Sequence, residues 1–336
     1  YRFWRGSLSW GMSPNVKSVV KNAVQFELNG FMQQGASMRR FGLPKVMAVL
    51  VSGLFLLSCG GGSPGSDLGV VPVYSLSNCT TTVGAGVPTF FSKYFKCSTL
   101  SVSANGLNVI IESNGLPPHL SYYYGASSAN YTTFNTQGNL NSPNPNTISA
   151  QTLRLEFPLA PVATSGLTIN AALVDGVPGN SANEYRMSYS GIALDSVAMF
   201  NSLAAPGDDI NLEKFTFDDY NAHPENNGMY HYHTNTAGPL EVLKSLGLVA
   251  TAVPESAAIE MYGIMCDGTV IMGCTELNGD VPSLPALDPQ NGHVHDLIDF
   301  DTGDVLLSAR YHTHVCPSTY TGHQFNPEIQ YYTTCM

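Results

Sequence analysis

Residues 230–233 read Tyr-His-Tyr-His and residues 311–314 read Tyr-His-Thr-His, and these two short stretches decide how the chain folds. In an extended strand successive side chains point to opposite faces. His231 and His233 therefore share one face of their strand while Tyr230 and Tyr232 share the other, and His312 and His314 repeat the arrangement. Such a strand has an aromatic face to bury and an imidazole face to present, which suits a sheet with a core behind a polar site. A third pair, His293 and His295, has the same spacing. With nine histidines in 336 residues, random placement gives about 0.2 such pairs, so three pairs have a cause. Side chains at i and i+2 stand about 6.6 Å apart, near enough for two imidazoles to converge on one ion.

Outward from these stretches the composition stays that of a β protein. From Val73 the chain is rich in Thr, Ser, Asn, Tyr, Val, Gly and Pro and poor in charge, which favours short strands joined by turns. Strands are expected at Leu107–Glu112, Thr152–Phe157, Leu167–Val174, Gly191–Leu194, Tyr230–His233, Glu260–Met265, Val270–Met272 and Val305–His314. Asn144-Pro145-Asn146 and Asp267-Gly268 supply turn chemistry, and Asp299 to Asp304 reads as a hairpin turn. Only Pro239–Val249, with leucines at 240, 243, 246 and 248, has helical spacing. The expected architecture is an all-β, sandwich-like single domain with one short helix.

The chain also repeats itself. Gly191-Ile192-Ala193-Leu194-Asp195 aligns with Gly263-Ile264-Met265-Cys266-Asp267, and each copy leads to one of the Tyr-His-x-His strands. A further histidine precedes each strand in a polar turn, His223 after Asn221-Ala222 and His293 after Asn291-Gly292. Two occurrences in the same order point to an internal duplication whose halves pack together, because each alone is too small to bury a core.

The other end of the chain bears on location. Residues 1–37 do not begin with Met and read as an upstream extension outside the fold. Residues 38–58 combine Arg39, Arg40 and Lys45 with an apolar run from Val46 to Leu57, then Ser58-Cys59 and three glycines. That is the pattern of a lipoprotein signal peptide with Cys59 as the acylated residue. Gly60 in place of an aspartate points to lipid anchoring at the outer membrane of a Gram-negative cell envelope, on its periplasmic or its outer side, with plain secretion as the alternative. Residues 59–72 read as a flexible tether, 73–104 as an N-terminal β segment and 105–336 as the main domain.

Half of the fourteen Lys and Arg, but only Glu27 of the twenty-five acids, precede Cys59, so the remainder carries a net charge of −17. So acidic a surface excludes nucleic acid as a partner and favours cations; the membrane is engaged through the anchor, and protein partners are not indicated. Six cysteines follow Cys59, an even set that reads as disulfides in an exported chain. Pairing by proximity would join 79 with 97, 266 with 274 and 316 with 335. No Gly-x-Ser-x-Gly elbow, phosphate loop or dinucleotide fingerprint follows the leader, which disfavours serine catalysis and nucleotide chemistry.

Taken in order, several of these motifs resemble the YHYH-domain family of exported proteins. They are Ser113 to His119, Asn144-Pro145-Asn146, Phe157 to Pro161, Tyr230 to His233, Asn291 to His295 and Tyr311 to His314, so the resemblance runs from about residue 105 to the end. It departs from the family where Asp195–Phe200 and Asp267–Met272 lack proline and where Thr313 replaces a tyrosine. The resemblance implies a domain and no reaction. The residues themselves point to a transition metal, zinc or copper, held by His231, His233, His312 and His314 facing one another across the two copies. His223, His293 and His295 are further ligands or their supports, and Asp218, Asp219, Glu225, Asp288 and Asp296 are nearby acids. Neutral imidazole is the ligating form, so binding should fade below about pH 6. Two other classes stay open: a metal-dependent hydrolase or oxidase with an open histidine site, or a metal-free structural or recognition β-domain with His119 among its packing histidines.

Overall fold

The structure, a computed structural model, describes residues 74–205, 208–318 and 324–333. The leader, Cys59, the tether, His323 and Cys335 lie outside the described residues. Among these residues no helix is long and apolar enough to cross a membrane.

Strands β1 (Thr82–Val83), β2 (Thr99–Val102), β3 (Asn108–Ser113) and β4 (Leu153–Pro158) form a four-stranded sheet in that order. The boundary placed at residue 105 therefore falls inside the β2–β3 hairpin, where Val102 pairs with Val109. The larger sheet contains β5 (Gly191–Ala193), β6 (Ala198–Met199), β7 (Ala222–Pro224), β8 (Tyr230–Tyr232), β9 (Met261–Met265), β10 (Val270–Met272), β11 (Gly292–Ile298) and β12 (Val305–His314). Its spatial order is β11-β12-β10-β9-β5-β6-β8-β7. One contiguous core takes Leu100, Val109, Ile111, Leu155 and Phe157 from the first sheet and Ile192, Met199, Tyr232, Ile264 and Ile271 from the second. The expected all-β sandwich-like domain is what forms, although among the described residues three short α-helices stand where a single one was expected.

The register makes the duplication explicit. At the centre β5 and β9 run antiparallel with Ile192 opposite Ile264, Gly191 opposite Met265 and Ala193 opposite Gly263. Copy one thus meets copy two about a local two-fold axis through the two isoleucines. Each copy then repeats the same moves outward. Ala198 of β6 lies parallel to His231 of β8, as Val270 of β10 does to His312 of β12. His223 of β7 lies antiparallel to His231, as His293 of β11 does to His312. The two Tyr-His-x-His strands consequently lie five strand steps apart toward opposite edges of the sheet. The expectation that they face one another is corrected: a two-fold axis at β5/β9 places equivalent strands on opposite wings.

Local chemistry explains where the elements depart from their expected bounds. The helix runs over Ala237–Ser245, because the Thr236 hydroxyl caps Gly238 N–H and Gly247 sits at φ +76° just beyond the end. Leu167–Val174 is not a strand. Asn170 instead nucleates a turn by accepting from Ala172, Leu173 and Val174 N–H, while Ile169 packs on Tyr311, Ile329 and Tyr332. The Asp299–Asp304 segment is the β11–β12 hairpin turn, and its Asp299 carboxylate takes Lys93 Nζ at 2.8 Å on both oxygens. Of the proximity pairings, Cys79–Cys97 forms, but Cys274 bonds Cys316, and Cys266 is disulfide-bonded elsewhere. The cause is the parallel β10–β12 pair, which brings the residues just after both strands side by side.

His119 is a packing residue. Its ring is buried and stacked on Tyr220 with centroids 3.5 Å apart, and its Nδ1–H donates to the Leu120 carbonyl at 2.9 Å. Burial pushes its pKa down to about 3, against that hydrogen bond, which raises it. The folded group therefore stays neutral while the unfolded one takes a proton below about 6.5, so stability falls as pH drops through this window. Between pH 6 and pH 5 the parent should lose about 1 kcal/mol more than a His119→Gln variant in urea unfolding. Equal losses would show that the ring protonates freely in the folded state.

Candidate metal centres

Each edge hairpin of the large sheet is set by the same turn. In copy one Asp218 accepts Tyr220 N–H at 3.0 Å and both carboxylate oxygens lie 2.8 Å from the Tyr230 hydroxyl, while Asn221 N–H returns to the Asp218 carbonyl. In copy two Asp288 accepts Gln290 N–H at 3.0 Å and the Tyr311 hydroxyl at 2.7 Å, and Asn291 N–H returns to the Asp288 carbonyl. Asn221 and Asn291 take φ +54° and +55°, the left-handed geometry that asparagine tolerates better than most side chains. The turn thus aims His223 and His293 at the neighbouring Tyr-His-x-His strand.

The first centre is His223, His231 and His233, all buried, with one ring nitrogen from each within 4.8 Å of the others. His231 Nε2 lies 3.1 Å from His233 Nε2. The opposite nitrogens are already committed: His231 Nδ1 is 3.0 Å from the Met229 carbonyl, and His233 Nδ1 is 2.7 Å from the Asn201 carbonyl. A carbonyl only accepts, so each Nδ1 carries the hydrogen and each Nε2 presents a lone pair. His223 Nδ1 meets Thr216 Oγ1 at 2.6 Å, whose own hydroxyl donates to the Glu213 carbonyl at 2.8 Å. Glu213 Oε1 stands 3.3 Å from His223 Nε2, yet His223 Nε2 and Glu213 Oε2 are buried without a hydrogen-bond partner.

The second centre is Glu276, His293, His312 and His314. His312 Nδ1 is 3.0 Å from the Arg310 carbonyl and His314 Nδ1 is 2.8 Å from the Gly273 carbonyl, the same bonds as in copy one. His314 Nε2 lies 3.2 Å from His293 Nε2. Glu276 sits among them, with Oε1 2.9 Å from His293 Nε2 and 3.3 Å from His314 Nε2, and Oε2 3.0 Å from His312 Nε2. His295 Nε2 reaches Glu276 Oε2 at 3.2 Å, but this ring is 39% exposed and lies outside the tight group.

Electrostatics sharpen the picture. Burial, aided by the neighbouring His223 and His233, drives His231 well below the usual histidine range. Burial also takes His233 down to about 4, with His223 adding to the shift, and takes His312 to about 4 against the pull of Glu276. Burial alone would raise the Glu276 carboxyl, but the imidazoles of His293, His312 and His314 hold it far below the carboxylate range. His231, His233 and His312 are thus held neutral and Glu276 ionised, and with the hydrogen of each of these rings on Nδ1 their Nε2 lone pairs face the neighbouring donors. A cation, a proton or a bridging water donor placed between them would satisfy such lone pairs. Tetrahedral imidazole ligation at about 2.0–2.1 Å puts ligand nitrogens about 3.3 Å apart, close to the separations in both centres.

All seven expected histidines lie at or beside these centres, but as two groups and not one. His231 and His233 join His223; His312 and His314 join His293, with His295 at the margin. The expected acids serve elsewhere: Asp218 and Asp288 hold turns, Asp219 accepts from Asn135, Glu225 from Met229 N–H and Asp296 from Ala309 N–H. The carboxylates at the centres are Glu213 and Glu276, neither of which stands in a motif with the histidines. Glu255, Cys274 and Cys316 also cluster, but the two sulfurs are joined in a disulfide.

The fold and the two centres define an internally duplicated β protein with a histidine triad on each wing, buried in the first and with His293 half-buried in the second. Residues 154–277 match the family described as YHYH protein, and the chain carries that family's domain. The matched stretch holds the whole first centre and Glu276 of the second, and it is narrower than the motif series that begins near residue 105. No curated protein and no solved structure matches the chain.

Proposed function

We propose that this chain is an envelope protein that binds two transition-metal ions, zinc or copper, one in each wing of the domain. The observation that carries the reading is the pair of Nε2–Nε2 approaches, 3.1 Å in one centre and 3.2 Å in the other. His231 and His233 have Nδ1 bonded to backbone carbonyls, so in the first centre two lone pairs meet, and His314 Nδ1 is committed in the same way and turns its Nε2 lone pair to His293. Imidazole with carboxylate suits zinc and copper, and the backbone bonds fix tautomer and ring angle as outer partners of metal ligands do. The test is calorimetric titration of metal-free protein with each ion. Two equivalents are expected for the parent, and one each for His231→Ala and His312→Ala. Absence of micromolar binding, or unchanged stoichiometry in both variants, would leave the histidines as packing devices.

The location belongs to the same proposal. The basic and apolar leader ending at Ser58-Cys59 supports lipid attachment at Cys59, with the Gly/Ser-rich stretch as the spacer to the domain. Replacing Cys59 by alanine should shift the protein out of the membrane fraction. Unchanged fractionation without an acyl mass on Cys59 would refute the anchor.

A further inference from the structure

The two centres are equivalent by register but not by composition, and one of the differences lies at an aligned position of the repeat. Copy two follows copy one at a constant offset through this part of the chain: Gly191 matches Gly263, and Asp195 matches Asp267. The offset still holds at Asn201 and Gly273, whose carbonyls accept from His233 and His314 respectively. Three residues later it sets Ala204 against Glu276. The carboxylate that sits among the imidazoles of the second centre is therefore a methyl group in the first.

A cavity of about 400 Å³ borders the first centre on the side of His231 and His233, and its walls include Phe200, Leu203, Ala205 and Met229. Phe200 stacks on His231 with centroids 3.8 Å apart and fixes that ring from the flank. Among the described residues the group of converging donors here is three imidazoles, against three imidazoles and a carboxylate in the second centre. Glu213 also borders the cavity, with one carboxylate oxygen toward His223 and the other buried and unpartnered. Three protein donors with a fourth position facing a cavity is the arrangement of reactive metal sites, whereas four protein donors close a structural one.

We infer that the first centre keeps an open coordination position for a small exogenous ligand, water or a small anion, while the second centre is coordinatively closed and structural. The inference rests on the metal-binding reading and adds an asymmetry to it. Cobalt(II) is a visible stand-in for zinc in such sites, and azide is a small anion that ligates it. With two cobalt ions bound, azide should change the visible spectrum of one of them. The response should be lost in His231→Ala, which keeps the second centre, and retained in His312→Ala, which keeps the first. Ala204→Glu, which restores the missing carboxylate, should bind two ions and lose the azide response. Two bound ions with no azide response, or a response that survives in His231→Ala and vanishes in His312→Ala, would overturn the inference and leave metal binding standing. Failure to bind cobalt at all would overturn both.

Discussion

Gly263→Ala is expected to destabilise the domain by about 3 kcal/mol or more and to leave little folded protein at 37 °C. Gly263 lies on β9 opposite Ala193 of β5, at the two-fold axis that joins the two copies. A Cβ here would stand 2.6 Å from Met199 Sδ and 2.8 Å from Ala193 Cα, and it would also press on the Ile192 carbonyl. The methionine could swing away; the backbone of a paired central strand cannot. Separating β5 from β9 would break the register from which both wings are built. Gly191, its partner by symmetry, is also tight, with an added Cβ 2.7 Å from the Ile264 carbonyl, so Gly191→Ala should be impaired in the same way. Urea unfolding monitored by circular dichroism measures both. Stability within 1 kcal/mol of the parent would mean that the strands can part without cost.

That axis also explains what the sequence could and could not reveal. Alternation of tyrosine and histidine marked β8 and β12, and the repeated Gly-Ile-x-x-Asp marked β5 and β9, since these patterns report local backbone and burial. The short strands β6 and β7 carry only two and three residues, too few for any period to show. His223 was legible as a ligand candidate only through its resemblance to His293. Whether the two triads meet or diverge depends on strand order, which no local pattern encodes. Register placed the axis at the innermost strands and sent the triads to the edges. Glu276 and Glu213 were hidden for a related reason. Glu276 reaches its imidazoles from a loop after β10, and Glu213 from the short helix Ile210–Glu213, so their approach to the histidines is tertiary. The disulfide partner of Cys274 was obscured in the same way, because the parallel β10–β12 pairing that delivers Cys316 is a crossover in the topology.

Saturating zinc should raise the melting temperature of metal-free protein by about 10–20 °C, the second large effect expected. Binding to the folded state alone stabilises by RT ln(1 + [L]/Kd), about 2.7 kcal/mol per site at a hundredfold excess over Kd. Two sites contribute about 5 kcal/mol, and a domain of this size shifts by about 2–4 °C for each kcal/mol. In the first centre the ion would also relieve an unfavourable contact, because the His231 and His233 Nε2 lone pairs face at 3.1 Å without it. His231→Ala should retain about half of the shift, since the second centre is untouched, and the His231→Ala, His312→Ala double variant should show almost none. The single variants also separate two explanations for the histidines. If they were packing devices, each alanine would lower the melting temperature of the metal-free protein and zinc would move parent and double variant equally. If they are ligands, each alanine still costs the metal-free protein a buried ring and its backbone hydrogen bond, but the zinc-induced shift is halved in each single variant and lost in the double variant.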